Sequence, residues 1–561
     1  MRKDIANQIA LMGETELMNK SELARRFDCN WRTVDKYIDT FLEECYRRIQ
    51  SMKIHLKDYK KKVEGCWTGK NIGGTLGAPF ECKRGVFDLT FYTQPIDGEP
   101  LPNDDLDLQL IWLNAVEKYG RFINGSTLGE YWHSYVIPNW GEYGAGKNNM
   151  RAGLVPPLSG YVNNVFRDSC GAFILSEIWA CLAPGHPDIA VKCAFEDAMV
   201  NHSGEGVYAE IFCAALESAA FVESDPYQLI EIGLSYIPVD CGVARGVKNV
   251  IASYKSGATW QEARKSLLNT VPGSFGALGT APEDMEKDIP VGEIGWDAPS
   301  NIGIIIIGWL YGEGDFSRSM CIAAGCGEDA DCTAGTLGSI LGIIGGMDSI
   351  PEKWVKPLGG KIKTLCVNYA DQGLKIPTTI DDLVDRVLKL TPLFLGSEFC
   401  DVVHSENGYT LYMQDADSLY NKPARVNAWE VRKFEDVLKR SPFVVKNEFA
   451  IFDTYLNYTD EPFITEGQPK TFKLSVENKI FIQQWLNIKW YLPQGWEITP
   501  GPSIGASLEQ FHCNIGRTEF QFTITPKGLI QSRYDLILEI NSVGRHTKGL
   551  IPVVLITGGA V

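Results

Sequence analysis

Glycine recurs every fourth residue in "VEGCWTGKNIGGTLGAPFE", and no other feature constrains this chain as strongly. Gly65, Gly69 and Gly73 share one helical face, and Gly74 and Gly77 follow. Each interior glycine costs a helix about 1 kcal/mol relative to alanine. A stripe of them is best explained by a second backbone, or a ligand, approaching closer than side chains allow. Pro79 stops the helix and leaves Glu81 on the following loop. Similar small-residue helices recur at "CGAFILSEIWACLAPG", "GEGVYAEIFCAALESAAF" and "DCTAGTLGSILGIIGG", and strand-like alternation is scarce before residue 400. The expectation is an all-α bundle over residues 63–400.

Two acidic motifs open helices of that bundle. In "LPNDDLDLQLIWL", Asn103 is a good N-cap and Asp104, Asp105 and Asp107 crowd the first turn, ahead of a buried face of Leu106, Leu110 and Leu113. The helix dipole accommodates one or two such charges comfortably, three less well. In "GCGEDADCTAGTLGSILG", Asp329 and Asp331 stand two apart, so in an extended segment they point the same way, and Thr333 adds a hydroxyl oxygen. Each motif alone reads equally as a capped turn. Facing each other, they would form a four-carboxylate site that needs divalent cations. All-oxygen ligands favour Mg²⁺, with Mn²⁺ or Ca²⁺ as alternatives, over zinc.

Composition narrows the setting. At 561 residues the chain calls for two or three domains. A net charge of −17 argues against a protein that broadly coats nucleic acid or membrane surfaces. The 15 cysteines never form CxxC and many lie in apolar runs, which suits small buried side chains in a reducing cytosol. The N-terminus lacks an apolar signal core, and the greasiest run, "NIGIIIIGWLYG", is too short to span a bilayer. A cytoplasmic location is expected.

The chain resembles the ADP-ribosylglycohydrolase family, which includes the dinitrogenase-reductase-activating glycohydrolase and the ADP-ribosyl-acceptor hydrolases. The likeness lies in "GCWTGKNIGGTLGAPFE", "PNDDLDLQLIWL", "NHSGEGVYAEIFCAALESAAF" and "GCGEDADCTAGTLGSILGIIGG", in the family's order, over residues 63–390. The resemblance implies an all-α fold with two divalent metals, usually Mg²⁺ or Mn²⁺, in a central cleft. It implies hydrolysis of the bond joining ADP-ribose to an acceptor. The family's Thr-Asp-Asp-Thr motif reads here Asn103-Asp104-Asp105-Leu106, and its Asp-x-Asp-Thr motif reads Asp329-Ala330-Asp331-Cys332. Asn103, Asp104, Asp105, Asp329 and Asp331 are the implied metal ligands. Thr333 is a substitute for the threonine that Cys332 replaces, since a thiol is a poor Mg²⁺ ligand. Glu81 matches a family glutamate implicated in gating or acid–base work, and His202 matches a histidine near the diphosphate-ribose path. Asp105 or Asp331 would position the attacking water while Glu81 transfers a proton. In the aromatic, glycine-rich stretch after Tyr131, Trp140 and Tyr143 could stack a flat group such as adenine, or could merely bury the loop.

The ends of the chain differ from its centre. Residues 1–62 hold 14 Lys/Arg against 10 Asp/Glu. Within them, "NKSELARRFDCNWRTVDKYIDTFLEE" spaces Leu23 with Phe27 and Val34 with Ile38, as in a helix-turn-helix. Arg32, Thr33, Lys36 and Tyr37 would then face DNA; the alternative is a helical extension that packs or dimerises. Residues 401–445 read as a connector. From 446 to 561, short alternating segments such as "TFKLSVEN", "WLNIKWYLP" and "FQFTITP" imply a β-sandwich resembling immunoglobulin-like accessory domains. The leading expectation is a metal-dependent hydrolase of an ADP-ribosyl or related ribosyl bond, with no membrane partner and able to form a homo-oligomer. The alternatives are a non-catalytic ADP-ribose- or nucleotide-sensing DNA-binding regulator, and a glycoside or nucleoside hydrolase with a different substrate.

Overall fold

The structure, a computed structural model, describes residues 52–83, 85–271, 295–369, 374–396, 399–401, 408–420, 441–480, 482–509 and 516–558. The expected helix-turn-helix, with Arg32, Thr33, Lys36 and Tyr37, lies outside them. The chain divides into two compact units, Met1–Trp429 and Glu430–Val561.

The first unit is helical and is organised around the glycine stripe. Helix α1 (Leu56–Gly77) runs antiparallel to a second small-residue helix, Ala330–Gly345, with backbone against backbone. A Cβ placed on Gly65, Gly69, Gly73 or Gly77 would lie under 3.0 Å from backbone atoms of Gly342, Gly338, Ala334 and Ala330 respectively. The partner helix answers with its own stripe, since a Cβ on Gly338 or Gly342 would strike Gly69 or Gly65. The sequence cost of the glycines is thus offset by contact between two helices at a distance no side chain would permit.

Around this pair pack α2 (Asp104–Tyr119), α3 (Gly141–Arg151), α4 (Ser176–Leu182), α5 (Pro187–Ala198) and α6 (Glu205–Ala219). After two further helices, Pro226–Leu234 and Gly242–Lys255, come α7 (Trp260–Thr270), α8 (Ala298–Gly312) and α9 (Phe316–Gly325), then the stripe's partner as α10 and later α11 (Ile380–Leu395). The greasy run falls in α8, every residue of which is buried within the bundle. Among the described residues no helix is long and apolar enough to cross a membrane. All the described cysteines are unpaired thiols.

Strand pairing also reaches the start of this unit. β1 (Lys53–His55) pairs antiparallel with β3 (Thr410–Tyr412), which pairs antiparallel with β2 (Cys400–Asp401). The end of the N-terminal segment and residues read from sequence as connector after 400 therefore meet in a small sheet. Three-residue strands carry too little alternation to stand out in sequence.

The strands of the second unit are β4 (Val444–Glu448), β5 (Phe452–Asn457), β6 (Phe463–Ile464), β7 (Lys470–Asn478), β8 (Gln484–Tyr491), β9 (Glu497–Thr499), β10 (Ser503–Leu508), β11 (Arg517–Thr525), β12 (Arg533–Ser542) and β13 (Lys548–Thr557). They form two five-stranded sheets, ordered β10-β8-β12-β13-β6 and β4-β5-β7-β11-β9. Strand β8 (Gln484–Tyr491) shows the alternation that made this region legible: Leu486, Ile488 and Trp490 are buried, while Trp485, Asn487 and Lys489 face out. Those inward residues share one core with Phe472 and Leu474 of β7 (Lys470–Asn478) and Phe522 of β11 (Arg517–Thr525), so the two sheets pack face to face.

Candidate metal centre

The α1–α10 contact fixes where the second acidic motif can be. Gly77 touches the backbone of Ala330 and Asp331, which delivers the first turn of α10 to the end of α1. Asp329 is the N-cap of α10 but makes no side-chain cap bond, so its carboxylate is not spent on its own helix. The loop before it turns through Gly327 and Glu328, both at positive φ (+65° and +62°). For glutamate that conformation is costly, and buried Arg264 of α7 holds it. Its Nε donates to the Cys326 carbonyl at 2.7 Å, and its Nη2 donates to Glu328 Oε1 at 2.9 Å. Backbone bonds between Cys82 or Lys83 and Glu328 then tie in the loop that carries Glu81.

The first motif arrives on α2. Asn103 caps that helix, its Oδ1 accepting the Asp105 N–H at 2.7 Å, while its Nδ2 donates across to Asp331 Oδ2 at 2.9 Å. Gly74 leaves the room, since a Cβ there would lie 2.9 Å from Asn103 Nδ2. The two distant loops therefore meet. Asp105, Asp331 and Cys332 bring one ligand atom each within 4.8 Å of one another, and so do Glu81, Asp329 and Asp331.

The three crowded carboxylates of α2 separate by direction. Asp105 faces Asp331 and Cys332, the Cys332 thiol donating to its Oδ1 at 3.3 Å. Asp104 accepts the Tyr143 hydroxyl of α3 at 2.6 Å. Asp107 turns away and accepts the backbone N–H groups of Leu365 and Cys366, so it anchors a loop. Thr333, named from sequence as a ligand, donates its hydroxyl to the Ala330 carbonyl at 3.1 Å; Cys332 is the side chain that stands against Asp105.

Burial makes this a cluster that could hold a cation. Desolvation and then Asp331 and Asp104 drive Asp105 well above the usual carboxylate range, against the pull of Lys70. Burial, followed by Asp331 and Glu81, does the same for Asp329. Asp331 is pushed up to about 7 by burial, then by Glu81 and Asp104. Glu81 stays exposed at the rim, yet its carboxyl is pushed up to about 7, first by lost hydration on its protein side, then by Asp104 and Asp105. Like charges this close cannot all ionise without a compensating cation. Asp105 Oδ2 and Asp331 Oδ1 are buried and accept no hydrogen bond. The donor set, mainly carboxylate oxygen, fits a hard divalent ion.

The remaining expected residues are spread out. Trp140 is 53% exposed beside Tyr143, ring centroids 6.1 Å apart, whereas Tyr143 is buried edge-on against Trp132 at 5.0 Å. His202 is fully buried, one ring nitrogen 3.0 Å from Ser169 Oγ and the other 2.9 Å from Asn201 Oδ1. Burial pushes its imidazole down to about 3, so it is neutral and both nitrogens are engaged. Sequence reasoning missed Lys70 and Arg264. Lys70 is 1% exposed, with Nζ 2.8 Å from Glu177 Oε1, 3.3 Å from Thr336 Oγ1 and 3.6 Å from Asp105 Oδ2. Burial works against its charge, but Glu177 and Asp105 outweigh it and hold the ammonium above its ordinary range. A lysine between the glycines of a buried helix was the available signal.

The model of the ADP-ribosylglycohydrolase family matches residues 55–392. No curated protein matches the chain. Among solved structures, a chain of an ADP-ribosylglycohydrolase-related protein complex is 18% identical, with a TM-score of 0.40, over 60% of this chain and 99% of its own. Because the family match spans more than half of the sequence, from the strand before α1 through most of α11, this chain belongs to the ADP-ribosylglycohydrolase family.

Proposed function

We propose that this protein is a divalent-cation-dependent hydrolase that cleaves the bond between the anomeric carbon of an ADP-ribosyl, or related ribosyl, group and its acceptor. The observation that carries this reading is the convergence of Asp105 with Asp331, bridged by Asn103, beside Glu81 and Asp329. A divalent cation compensates the carboxylate cluster of Asp104, Asp105, Asp329 and Asp331, with Mg²⁺ the first candidate and Mn²⁺ or Ca²⁺ the alternatives; Asn103 and Thr333 have oxygens in the same region. A bound cation would neutralise this cluster, orient ribose hydroxyls and make a nearby water a better nucleophile.

The protein's own groups do the rest. Breaking the glycosidic bond develops positive charge on the ribose ring, which the surrounding carboxylates stabilise. Asp105 or Asp331 orients the attacking water, and Glu81, reachable from solvent, exchanges the proton that the departing acceptor needs. Tyr143 holds Asp104 in place rather than stacking substrate, because its ring is buried and its hydroxyl is committed. Trp140 presents the exposed ring and is the stacking surface for a flat group. His202 acts through Ser169 and Asn201 as a support of the cleft wall.

The test is an assay of the purified full-length chain with ADP-ribosylated arginine, serine and nucleic acid, with Mg²⁺ and with EDTA. Release of ADP-ribose that EDTA abolishes and Mg²⁺ restores is the expected result. Binding of ADP-ribose without release from any of the substrates would overturn the enzymatic reading and favour a sensor.

A further inference from the structure

Two ligand sets share Asp331, and they are furnished differently. In the set of Asp105, Asp331 and Cys332, every carboxylate already has a donor or a cation. Lys70 stands 3.6 Å from Asp105 Oδ2, the Cys332 thiol donates to Asp105 Oδ1, and Asn103 Nδ2 donates to Asp331 Oδ2. Neighbouring Asp104 has the Tyr143 hydroxyl. In the set of Glu81, Asp329 and Asp331, no carboxylate has a lysine or arginine partner among the described residues. Asp105 Oδ2 and Asp331 Oδ1, the latter on the residue both sets share, are each buried without a hydrogen bond, so the difference between the sets is the ammonium of Lys70.

We infer that the protein holds a single divalent cation, at Glu81, Asp329 and Asp331, and that the buried ammonium of Lys70 supplies beside Asp105 the charge a second ion would bring. This rests on the cation-dependent reading above. Lys70 is built into its place. Its Nζ is held by Glu177 and Thr336, and Gly335 opens the path, because a Cβ there would lie 3.3 Å from Lys70 Cδ and 3.2 Å from Asp105 Oδ2. A fixed ammonium cannot serve as a ligand and repels a cation brought to the same carboxylate. The third member of that set is sulfur, which hard divalent ions avoid.

The test is equilibrium dialysis of the full-length protein against Mn²⁺, with metal analysis and electron paramagnetic resonance. The expected result is one Mn²⁺ per chain with the spectrum of an isolated ion. Lys70→Met should raise the stoichiometry to two. A second comparison does not depend on that variant folding: Asp329→Asn should weaken Mn²⁺ binding by more than about 100-fold and Asp105→Asn by less than about 10-fold. Two spin-coupled Mn²⁺ per wild-type chain, or equal losses in the two asparagine variants, would overturn this inference and leave the cation-dependent reading standing. No Mn²⁺ bound at all would overturn both.

Discussion

Gly69→Ala is the sharpest probe of the helix pair that builds the site. On an exposed helix this change would stabilise by about 1 kcal/mol. Here the new Cβ would sit under 3.0 Å from the carbonyl oxygen and carbon of Gly338. Both are backbone atoms, so no side chain can swing aside. Against a comfortable separation of about 3.5 Å, α1 and α10 must part by roughly 1–1.5 Å at this level. Overpacking of this kind costs about 1–3 kcal/mol, and with rigid backbone on both sides the upper end applies. After the propensity gain, the net loss should be about 2 kcal/mol. Gly338→Ala meets the Gly69 carbonyl and should cost about the same. Because both variants force one and the same separation, the double variant should lose less than the sum, by about 1 kcal/mol. Urea unfolding followed by hydrogen exchange in peptides from α1 and α10 measures this for the helical unit alone. Stabilisation by Gly69→Ala, or strict additivity in the double variant, would refute a backbone-on-backbone contact.

Three further outcomes follow from the same coordinates. Arg264→Met removes the cation that holds Glu328 at positive φ and should cost about 3–5 kcal/mol in denaturant, with a smaller loss when Glu328→Gln is added. Tyr143→Phe leaves the ring packing intact but frees Asp104, which stands beside the cation set rather than in it; Mn²⁺ affinity should fall by less than about tenfold by titration calorimetry, with stability changed by less than about 1 kcal/mol. Asp197 on α5, which accepts Trp179 Nε1 at 2.9 Å, is pushed up to about 8 chiefly by burial. Its folded pKa lies above the unfolded value of about 4, so its neutral form favours folding and that stability drains away as pH rises from about 4 to 8. Asp197→Asn should therefore gain on wild type by up to about 1.4 kcal/mol per pH unit between pH 5 and 7; a difference that stays flat with pH contradicts the assignment.

Much of the centre was readable because its constraints are local. The glycine period predicted a close approach, and the partner proved to be α10 with a stripe of its own. Asn103 announced its cap by residue type, but its second bond, to Asp331 across 228 positions, depends on tertiary packing that no window of sequence contains. Asp107 looked like its neighbours and differs only in direction, set by the N–H groups of Leu365 and Cys366. Lys70 and Arg264 carry charge into the core, and a charged residue on a helix reads by default as solvated. His202 resembled a family position, yet what surrounds its ring is decided by Ser169 and Asn201. In the second unit, strict alternation along β8 declared a two-faced strand, while the short strands beside α1 were silent for lack of length.

The central claim is that two acidic loops, far apart in sequence, close on a divalent cation. Anomalous diffraction from a crystal of the protein soaked in Mn²⁺ tests it most directly. The account predicts a manganese peak within coordinating distance of Asp329 and Asp331, with Asp105 and Asn103 beside them. Density showing Asp104 and Asp105 remote from Asp329 and Asp331, or no manganese among them at saturating metal, would contradict it.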